Sequence, residues 1–356
     1  MKVHILLLLV VFETVAAVSV DDSSSINFCA IGDWGGTELP PFFTLGQKET
    51  AQGMGKVAED IKSQFVVALG DNFYHTGVED SGSFRFDWTF ENVYNAKSLT
   101  DIPWYVIGGN HDHYGNVTAQ IEYSTKVKPQ GRWKFPSLFH SHKFQSADGS
   151  VTLDLILIDT VDLCGINDVQ NKEELGYFDP LPFKNKQDAQ KQWDWLEQEM
   201  KSSTADYLVV GGHYPVYSVC SHGPTESLVE HLRPLLAQYN AHYFSGHDHC
   251  MVHFEEKSER FNWDGTMEGV TVHHVLTGMG DECCYEATNL DDHSLNPPPG
   301  SLKWFLSAEN KDLYKANGGF TSVQTTKDEM IIQYHDHQGN VVFTADRILP
   351  RKDVNN

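Results

Sequence analysis

Five short segments of the sequence share one pattern, in which an apolar run ends near a glycine and side chains able to bind metals follow directly. The segments span residues 30–35, 65–74, 106–112, 209–213 and 244–249. The apolar runs are typical of buried strands, and α/β proteins hold their sites at the carboxyl ends of such strands. A single Asp-Asn pair after glycine is usually only a turn. Its repetition predicts that the segments converge on one site.

Together the segments supply seven candidate metal ligands: Asp33, Asp71, Tyr74, Asn110, His213, His247 and His249. A single zinc ion takes about four ligands, so this set suits two metal ions that share one ligand. Asp71 is the predicted bridge, because a carboxylate offers two oxygens and enough charge to hold two cations together.

Tyr74 is the most informative of these residues. A phenol has an ordinary pKa of about 10, so only a strong Lewis acid would make it a ligand. This favours Fe(III) beside Tyr74 and a divalent ion on the side of the Asn and His donors. The charge of two such ions exceeds that of the acidic ligands, so the site would attract a phosphate dianion. Each residue alone is usually structural, and the hypothesis depends on all of them together.

The elements that must position these residues alternate between strand and helix through most of the chain. Strands are predicted at 27–31, 65–69, 104–107, 153–158, 207–210 and 242–244, and helices at 47–64, 83–99, 187–202 and 227–238. Further strands are predicted at 272–276, 320–323, 330–334 and 341–348. This order favours an α/β fold of two packed sheets with helices outside, in a single domain over residues 18–356.

The composition narrows the possible partners. The chain has 356 residues, 26 of them basic and 49 acidic, for a net charge of -23. Such a surface argues against binding to nucleic acid or to anionic membranes, both of which need Lys and Arg. It does not exclude a small phosphate ester, because metal ions set the local charge of a site. We expect a monomer, although the sequence does not determine the oligomeric state.

The first 17 residues resemble a secretory signal peptide. Lys2 precedes an apolar run and small residues follow at 15–17. A membrane anchor would need about 20 apolar residues, and Glu13 interrupts the run too early. No later segment could span a bilayer, so we expect a secreted or lysosomal protein. The sequon Asn116-Val117-Thr118 is then a predicted glycosylation site.

The six cysteines suggest one or two disulfides on a fold that does not depend on them. Cys29 lies within the first strand and is expected to be a buried thiol. Cys164 and Cys220 each follow a strand end and are the predicted disulfide pair. The sequence leaves the pairing of the remaining three open: Cys250, Cys283 and Cys284.

In five blocks the sequence resembles the purple acid phosphatases, and among them the small animal-type, tartrate-resistant branch. The blocks are Gly32-Asp33-x-Gly35, Gly70-Asp71-x-x-Tyr74, Gly109-Asn110-His111-Asp112, Val210-x-x-His213 and Gly246-His247-x-His249. The resemblance runs from about residue 27 to about residue 350. It implies a two-sheet αββα sandwich of the calcineurin-like metallophosphoesterase type.

The resemblance also implies a binuclear centre of Fe(III) and a divalent ion, which is Fe(II), Zn(II) or Mn(II). Asp33, Asp71, Tyr74 and His249 would bind Fe(III), while Asp71, Asn110, His213 and His247 would bind the divalent ion. His111 and His222 would lie beside the ligands. The implied activity is hydrolysis of phosphate monoesters or phosphoproteins at acid pH, with a metal-bound hydroxide as nucleophile. His111 or His222 would protonate the leaving group, or both would only hydrogen-bond the substrate.

Two other functions remain open. A phosphodiesterase or pyrophosphatase of the same superfamily is disfavoured by Tyr74, because a site with only divalent ions needs no phenolate. An iron-carrying protein without turnover is disfavoured by His111 and His222. The long segment 165–186 is acidic and follows a predicted strand end. The family resemblance suggests the hypothesis that it covers the site until proteolysis, and the alternative is a solvated loop at the rim of the site.

Overall fold

The computed structural model describes residues 22–164, 186–262, 265–291, 295 and 297–351. The predicted signal peptide lies outside the described residues, and so does the segment 165–186 except for Lys186. In the part of the chain that is described, no helix has the length and apolar character needed to cross a membrane.

The described residues contain fourteen strands and eight α-helices. The strands are β1 (Ile26–Ile31), β2 (Phe65–Ala68), β3 (Trp104–Val106), β4 (Trp133–Lys134), β5 (His140–Gln145), β6 (Thr152–Leu157), β7 (Tyr207–Gly211), β8 (His242–Ser245), β9 (Met251–Phe261), β10 (Met267–Thr277), β11 (Leu302–Leu306), β12 (Gly319–Thr325), β13 (Met330–Asp336) and β14 (Val341–Thr344). The helices are α1 (Leu45–Asp60), α2 (Lys97–Thr100), α3 (Asn110–Tyr114), α4 (Val117–Glu122), α5 (Thr160–Cys164), α6 (Lys186–Ser202), α7 (Arg233–Tyr239) and α8 (Lys311–Tyr314).

The strands form two mixed sheets of seven strands each. The first has the order β14-β13-β12-β1-β2-β3-β4, and the second has the order β11-β9-β10-β8-β7-β6-β5. The strands that precede the candidate ligands are parallel, with β1 pairing to β2 and β2 to β3 in the first sheet. In the second sheet, β7 pairs in parallel with β8. Their carboxyl ends therefore point to the same edge of the sandwich.

One hydrophobic core lies between the sheets and two more lie beneath the outer helices. Phe28, Phe65 and Val209 belong to the inter-sheet core, to which both sheets contribute. A second cluster joins Leu196 of α6 to the outer face of the second sheet. A third joins Met54 of α1 to the outer face of the first sheet. This arrangement is the two-sheet sandwich with outer helices that the sequence predicts.

Several observed elements differ from the sequence-based ones, and the strands β4, β5 and β11 were not predicted. The aromatic stretch 83–99, predicted as helix, contains only a π-helical segment at Phe86–Glu91 and the single turn α2. The eleven-residue strand β9 was not predicted. Its sequence carries five charged residues, which hide the strand pattern, but it pairs with β10 along its whole length.

The predicted disulfide between Cys164 and Cys220 is wrong. Cys220 is bonded to Cys250, with the two Cα atoms 6.8 Å apart, and Cys283 is bonded to its neighbour Cys284. The prediction failed because Cys250, which directly precedes β9, lies in the fold beside the segment that follows β7 and carries Cys220. Cys29 is a fully buried thiol, as predicted, and burial raises its pKa to about 12.

Candidate metal centre

The structure brings the seven predicted ligands together at the carboxyl ends of β1, β2, β3, β7 and β8. Asp33 follows β1, and Asp71 and Tyr74 follow β2. Asn110 begins α3, His213 follows β7, and His247 and His249 follow β8. None of the seven is more than 6% exposed. Burial of so many polar groups is costly unless each finds a partner or a metal ion.

Three of these residues hold a backbone conformation that is rare outside glycine. The φ angle is 56° at Asp33, 51° at Asp71 and 75° at His247. Left-handed backbone at several residues that lie close together in space is typical of functional sites. It aims the carboxylates at backbone donors, since Asp33 Oδ2 accepts from the His247 amide at 2.7 Å and Asp71 Oδ1 accepts from the His111 amide at 3.0 Å.

One group of donors surrounds the phenol of Tyr74. Its Oη lies 2.8 Å from His249 Nε2 and 3.1 Å from Asp33 Oδ1. His249 Nε2 lies 3.7 Å from Asp33 Oδ1. These are three of the four residues that the family resemblance assigns to the ferric ion.

A second group surrounds His213. Its Nε2 lies 2.9 Å from Asn110 Oδ1 and 3.4 Å from Asp71 Oδ2, while its Nδ1 contacts the Leu69 carbonyl at 2.8 Å. Because a carbonyl can only accept a hydrogen bond, the proton of a neutral His213 lies on Nδ1. The lone pair of Nε2 is then available to bind a metal ion. Gly109 is required here, because a Cβ at this position would collide with Asp71 Oδ1 and with His213 Cε1.

The spacing of both groups fits metal ions. Adjacent ligands of an octahedral ion with bonds of ~2.1 Å lie ~3.0 Å apart. The separations of 2.8, 3.1 and 3.7 Å around Tyr74 and of 2.9 and 3.4 Å around His213 lie near this value. Asp33, Asp71 and His213 also offer ligand atoms within 4.8 Å of one another, so the two groups adjoin. The residues present therefore fit a pair of ions.

His247 and the two predicted non-ligand histidines line the same site. The His247 ring lies between His213 and His222, with ring centroids 5.1 Å and 4.2 Å away. The His222 amide donates to Asp248 Oδ1 at 2.9 Å. His111 has a 27% exposed side chain, and its Nε2 lies 3.9 Å from Asp71 Oδ2.

The electrostatics follow from burial and close charges. Burial raises the pKa of Asp33 to about 7 and raises the pKa of Tyr74 well above 10. Burial alone would lower the pKa of His213 and of His249. The Asp71 carboxylate instead raises the pKa of His213 to about 9. The carboxylates of Glu282 and Asp33 raise the pKa of His249 to about 9. Burial and the charge of His222 lower the pKa of His247 well below 6.5. Without a metal, Tyr74 is therefore a neutral phenol at physiological pH.

Comparison with known proteins agrees with this geometry. Residues 26–251 match the calcineurin-like phosphoesterase family. Tartrate-resistant acid phosphatase type 5 of Mus musculus is 36% identical over 329 residues, which cover 92% of this chain and 91% of that protein. The chain belongs to this family, among the purple acid phosphatases. The Homo sapiens tartrate-resistant acid phosphatase type 5 is 35% identical over 97% of both chains. Purple acid phosphatase 17 of Arabidopsis thaliana is 28% identical over 94% of this chain and 91% of its own.

Two solved structures share the fold of this purple acid phosphatase. One is described as GAP50, the anchor in the inner membrane complex of Plasmodium, with a TM-score of 0.68, 21% identity, and coverage of 93% of this chain and 90% of that one. The other is a dimetal phosphatase from Danio rerio, with a TM-score of 0.51, 14% identity, and coverage of 88% and 96%.

Several residues that support the ligands were not predicted. Thr160 Oγ1 accepts from the amides of His213 and Tyr214 at 3.2 and 2.9 Å, which fixes the turn after β7. His249 Nδ1 faces Glu282 Oε1 at 3.5 Å and Asp281 Oδ1 at 4.0 Å. Such carboxylates orient a ligand histidine. In the sequence, Asp281 and Glu282 are marked only by their position beside Cys283 and Cys284. Their distance along the chain from His249 hid their role.

Proposed function

We propose that this protein hydrolyses phosphate monoesters at acid pH with a binuclear centre of Fe(III) and a divalent ion. The observation that carries the proposal is the buried group of Tyr74, His249 and Asp33, which adjoins the group of His213, Asn110 and Asp71. Membership of the purple acid phosphatases supports it, and so do the tartrate-resistant acid phosphatases that are similar over almost the whole chain. We infer that the substrates are small phosphate monoesters or phosphoproteins.

The proposed ligand division follows the two groups. Asp33, Asp71, Tyr74 and His249 would hold Fe(III), and Asp71, Asn110, His213 and His247 would hold the divalent ion. Asp71 is the proposed bridge, because its carboxylate lies beside both His213 and the Asp33 side of the site. When bound, the two metal ions would supply an activated water and positive charge that stabilises the phosphoryl oxygens.

The chain's own residues would do the remaining work. His111 lies at the exposed rim with Nδ1 fixed on the His75 carbonyl at 2.6 Å, so a neutral His111 holds its proton there and an imidazolium adds one at Nε2. His222 stacks on His247 and contacts Tyr285 edge to face, which fixes its ring at the mouth of the site. An imidazolium at either position can protonate the leaving oxygen or hydrogen-bond the phosphoryl group.

The setting we propose is the secretory pathway. Asn116 is exposed at the start of α4, and its Oδ1 accepts from the Ala119 amide at 3.1 Å. Its Nδ2 donates to the Glu79 carbonyl at 3.2 Å, so a glycan would replace only the second amide hydrogen. This exposed sequon and the predicted signal peptide support a secreted or lysosomal enzyme.

Steady-state hydrolysis of an aryl phosphate monoester at pH 5, before and after removal of metals with a chelator, tests this function. We expect turnover that is lost with the metals and restored when iron and a divalent ion return. An aryl phosphodiester and pyrophosphate, assayed in parallel, should react much more slowly. Faster diester or pyrophosphate cleavage would favour the other hydrolases of the superfamily, and no turnover of any substrate by the iron-loaded protein would favour a carrier.

A further inference from the structure

A second cluster of potential metal ligands lies on β9 and β10, away from the candidate metal centre. His253 and Glu255 project from the same face of β9, two residues apart, and Glu255 pairs directly across the strands with His273 of β10. The three residues offer ligand atoms that all lie within 4.8 Å of one another. His253 lies four residues beyond His249, up to roughly 13 Å along an extended strand.

The distances within this cluster suit a tetrahedral ion. His253 Nε2 lies 3.1 Å from His273 Nδ1 and 3.7 Å from Glu255 Oε1. Two ligands of a zinc ion with bonds of ~2.05 Å lie ~3.3 Å apart across a tetrahedral angle. Small side-chain shifts would therefore seat an ion between the three atoms, with a fourth position left for water.

Hydrogen bonding prepares His253 to be a ligand. Tyr334 Oη donates to the Val252 carbonyl at 2.9 Å, so toward His253 Nδ1, at 3.0 Å, it must act as the acceptor. His253 therefore holds its proton on Nδ1 and turns the lone pair of Nε2 toward Glu255 and His273. Metal-binding histidines are oriented by this kind of outer hydrogen bond.

The cluster also has too few protons for its acceptors. His253 Nε2 and Glu255 Oε1 are both acceptors and face each other, and the single proton of a neutral His273 can satisfy only one of them. Burial lowers the pKa of His253 and of His273, so neither is protonated at neutral pH.

We propose that His253, Glu255 and His273 form a mononuclear site for a borderline divalent cation, with zinc as the best match. Two imidazoles and one carboxylate with an open position are a common zinc ligand set. The histidines are 0% and 3% exposed, while the Glu255 side chain keeps 10% of its surface, which gives an ion a path of entry. The ion would join β9 to β10 and, through Tyr334, to the first sheet.

Lys303 provides a test in the opposite direction. Its Nζ lies 3.6 Å from Glu255 Oε2, so its charge opposes a cation at the site. Lys303→Gln should strengthen zinc binding by about tenfold, whereas Glu255→Gln should weaken it by more than tenfold. Glu259→Gln is the matched control, because Glu259 lies on the same face of β9, is exposed, and loses the same charge.

The experiment uses the holoenzyme prepared with iron and zinc in its binuclear centre. After equilibration with buffered free zinc, metal per chain is measured by plasma mass spectrometry, and the dissociation constant of the added zinc by titration. We expect one further zinc per chain in the wild type and in Glu259→Gln, and its loss in Glu255→Gln without loss of phosphatase activity. Because the readout is zinc content, failure here would not bear on the proposed hydrolysis.

Two results would overturn the site. One is a wild type that binds no zinc beyond the binuclear centre, and the other is equal zinc binding by the wild type and Glu255→Gln. If Glu255→Gln does not fold, Lys303→Gln decides, because an unchanged dissociation constant in that exposed variant contradicts a cation beside Glu255. Tyr334→Phe adds a graded check, with binding about 10- to 100-fold weaker through loss of the His253 partner.

Discussion

The phenol of Tyr74 is buried against an imidazole and a carboxyl group, an arrangement that burial alone makes unfavourable for phenolate. If Fe(III) binds there, charge transfer from phenolate should colour the pure protein. Tyr74→Phe should abolish the visible band while the fold stays intact, because the hydrogen-bond partners of its Oη among the described residues are the site groups Asp33 and His249. The measurement is the visible absorption spectrum at equal iron content, with circular dichroism to check folding.

Tyr285 provides the matched control for that variant. Its ring stacks on His249 with centroids 4.4 Å apart, and Tyr285→Phe keeps this contact. We expect the band to remain in Tyr285→Phe. A colourless, fully active, iron-replete wild type would contradict the ferric assignment.

Asp71 and Asn110 separate the two proposed ions. Asp71→Ala removes the proposed shared ligand, so both metals and nearly all activity should be lost. Asn110→Ala removes an oxygen that lies 2.9 Å from His213 Nε2, on the divalent side alone. It should keep iron and lose most of the divalent ion, as measured by metal analysis of the purified variants. Equal loss of both metals from the two variants would speak against the proposed division of ligands.

At the level of residues, the sequence predicted which side chains meet but not how they are held. The donors could be found because each follows a glycine at a strand end. The left-handed backbone of Asp33, Asp71 and His247 could not be predicted, because Asp and His are enriched in this conformation but adopt it at only a small fraction of their positions. The support from Thr160 was also hidden, since it depends on the approach of two separate loops.

The disulfide between Cys220 and Cys250 acts at the level of elements. It joins the segment that carries His222 to the segment that carries His247 and His249. A bridge that closes a loop of 30 residues stabilises a fold by ~3–4 kcal/mol. The double variant Cys220→Ala, Cys250→Ala should therefore lower the free energy of unfolding by about this amount, as measured by denaturant titration.

Cys164→Ala is the control for the disulfide. The structure predicts that this variant keeps the Cys220–Cys250 bond, which peptide mass mapping after alkylation would detect. A Cys164→Ala protein with a free Cys220 thiol would instead support the pairing expected from the sequence.

Strands could be predicted from the sequence where both of their faces are buried by apolar contacts. The all-apolar strand β2 stands out in the sequence because both of its faces are covered. Strand β9 does not, because Glu255 and Glu256 point into polar networks on its two faces rather than into solvent. Charged residues usually mark surface, so a strand that buries them against His253, Arg233 and His274 escapes pattern recognition.

For the whole molecule, the sandwich brings a net charge of -23 and a cluster of buried acidic groups into one stable fold. Both sheets contribute to the site, and backbone hydrogen bonds such as Gly32 N to the Thr277 carbonyl at 2.9 Å join them beside it. The alternation of strands and helices predicted this sandwich. The proton content of the metal-free site depends on charges from both sheets, so only the structure gives it.

That proton content makes the stability of the metal-free protein depend on pH. The folded-state pKa of His213 and of His249 is about 9, above the unfolded value of about 6.5. Their stabilisation is therefore fully present below pH 6.5 and is lost as the pH rises through 9. The pKa of Asp33 is raised to about 7 in the folded protein, so Asp33 also makes the protein less stable as the pH rises, but it does so below pH 7. Asp71 acts oppositely, because its lowered pKa favours folding above the ordinary Asp range.

We expect the metal-free protein to lose stability between pH 6.5 and 9.5, by up to roughly 3 kcal/mol for each histidine. Denaturant unfolding at the two pH values measures the loss, and His249→Gln should reduce the difference between them. The metal-loaded protein should show no such loss, because bound metals replace these protons and metal uptake at pH 7 should release protons to solution. An equal dependence on pH in the metal-free wild type and His249→Gln would contradict the assigned protonation of the site.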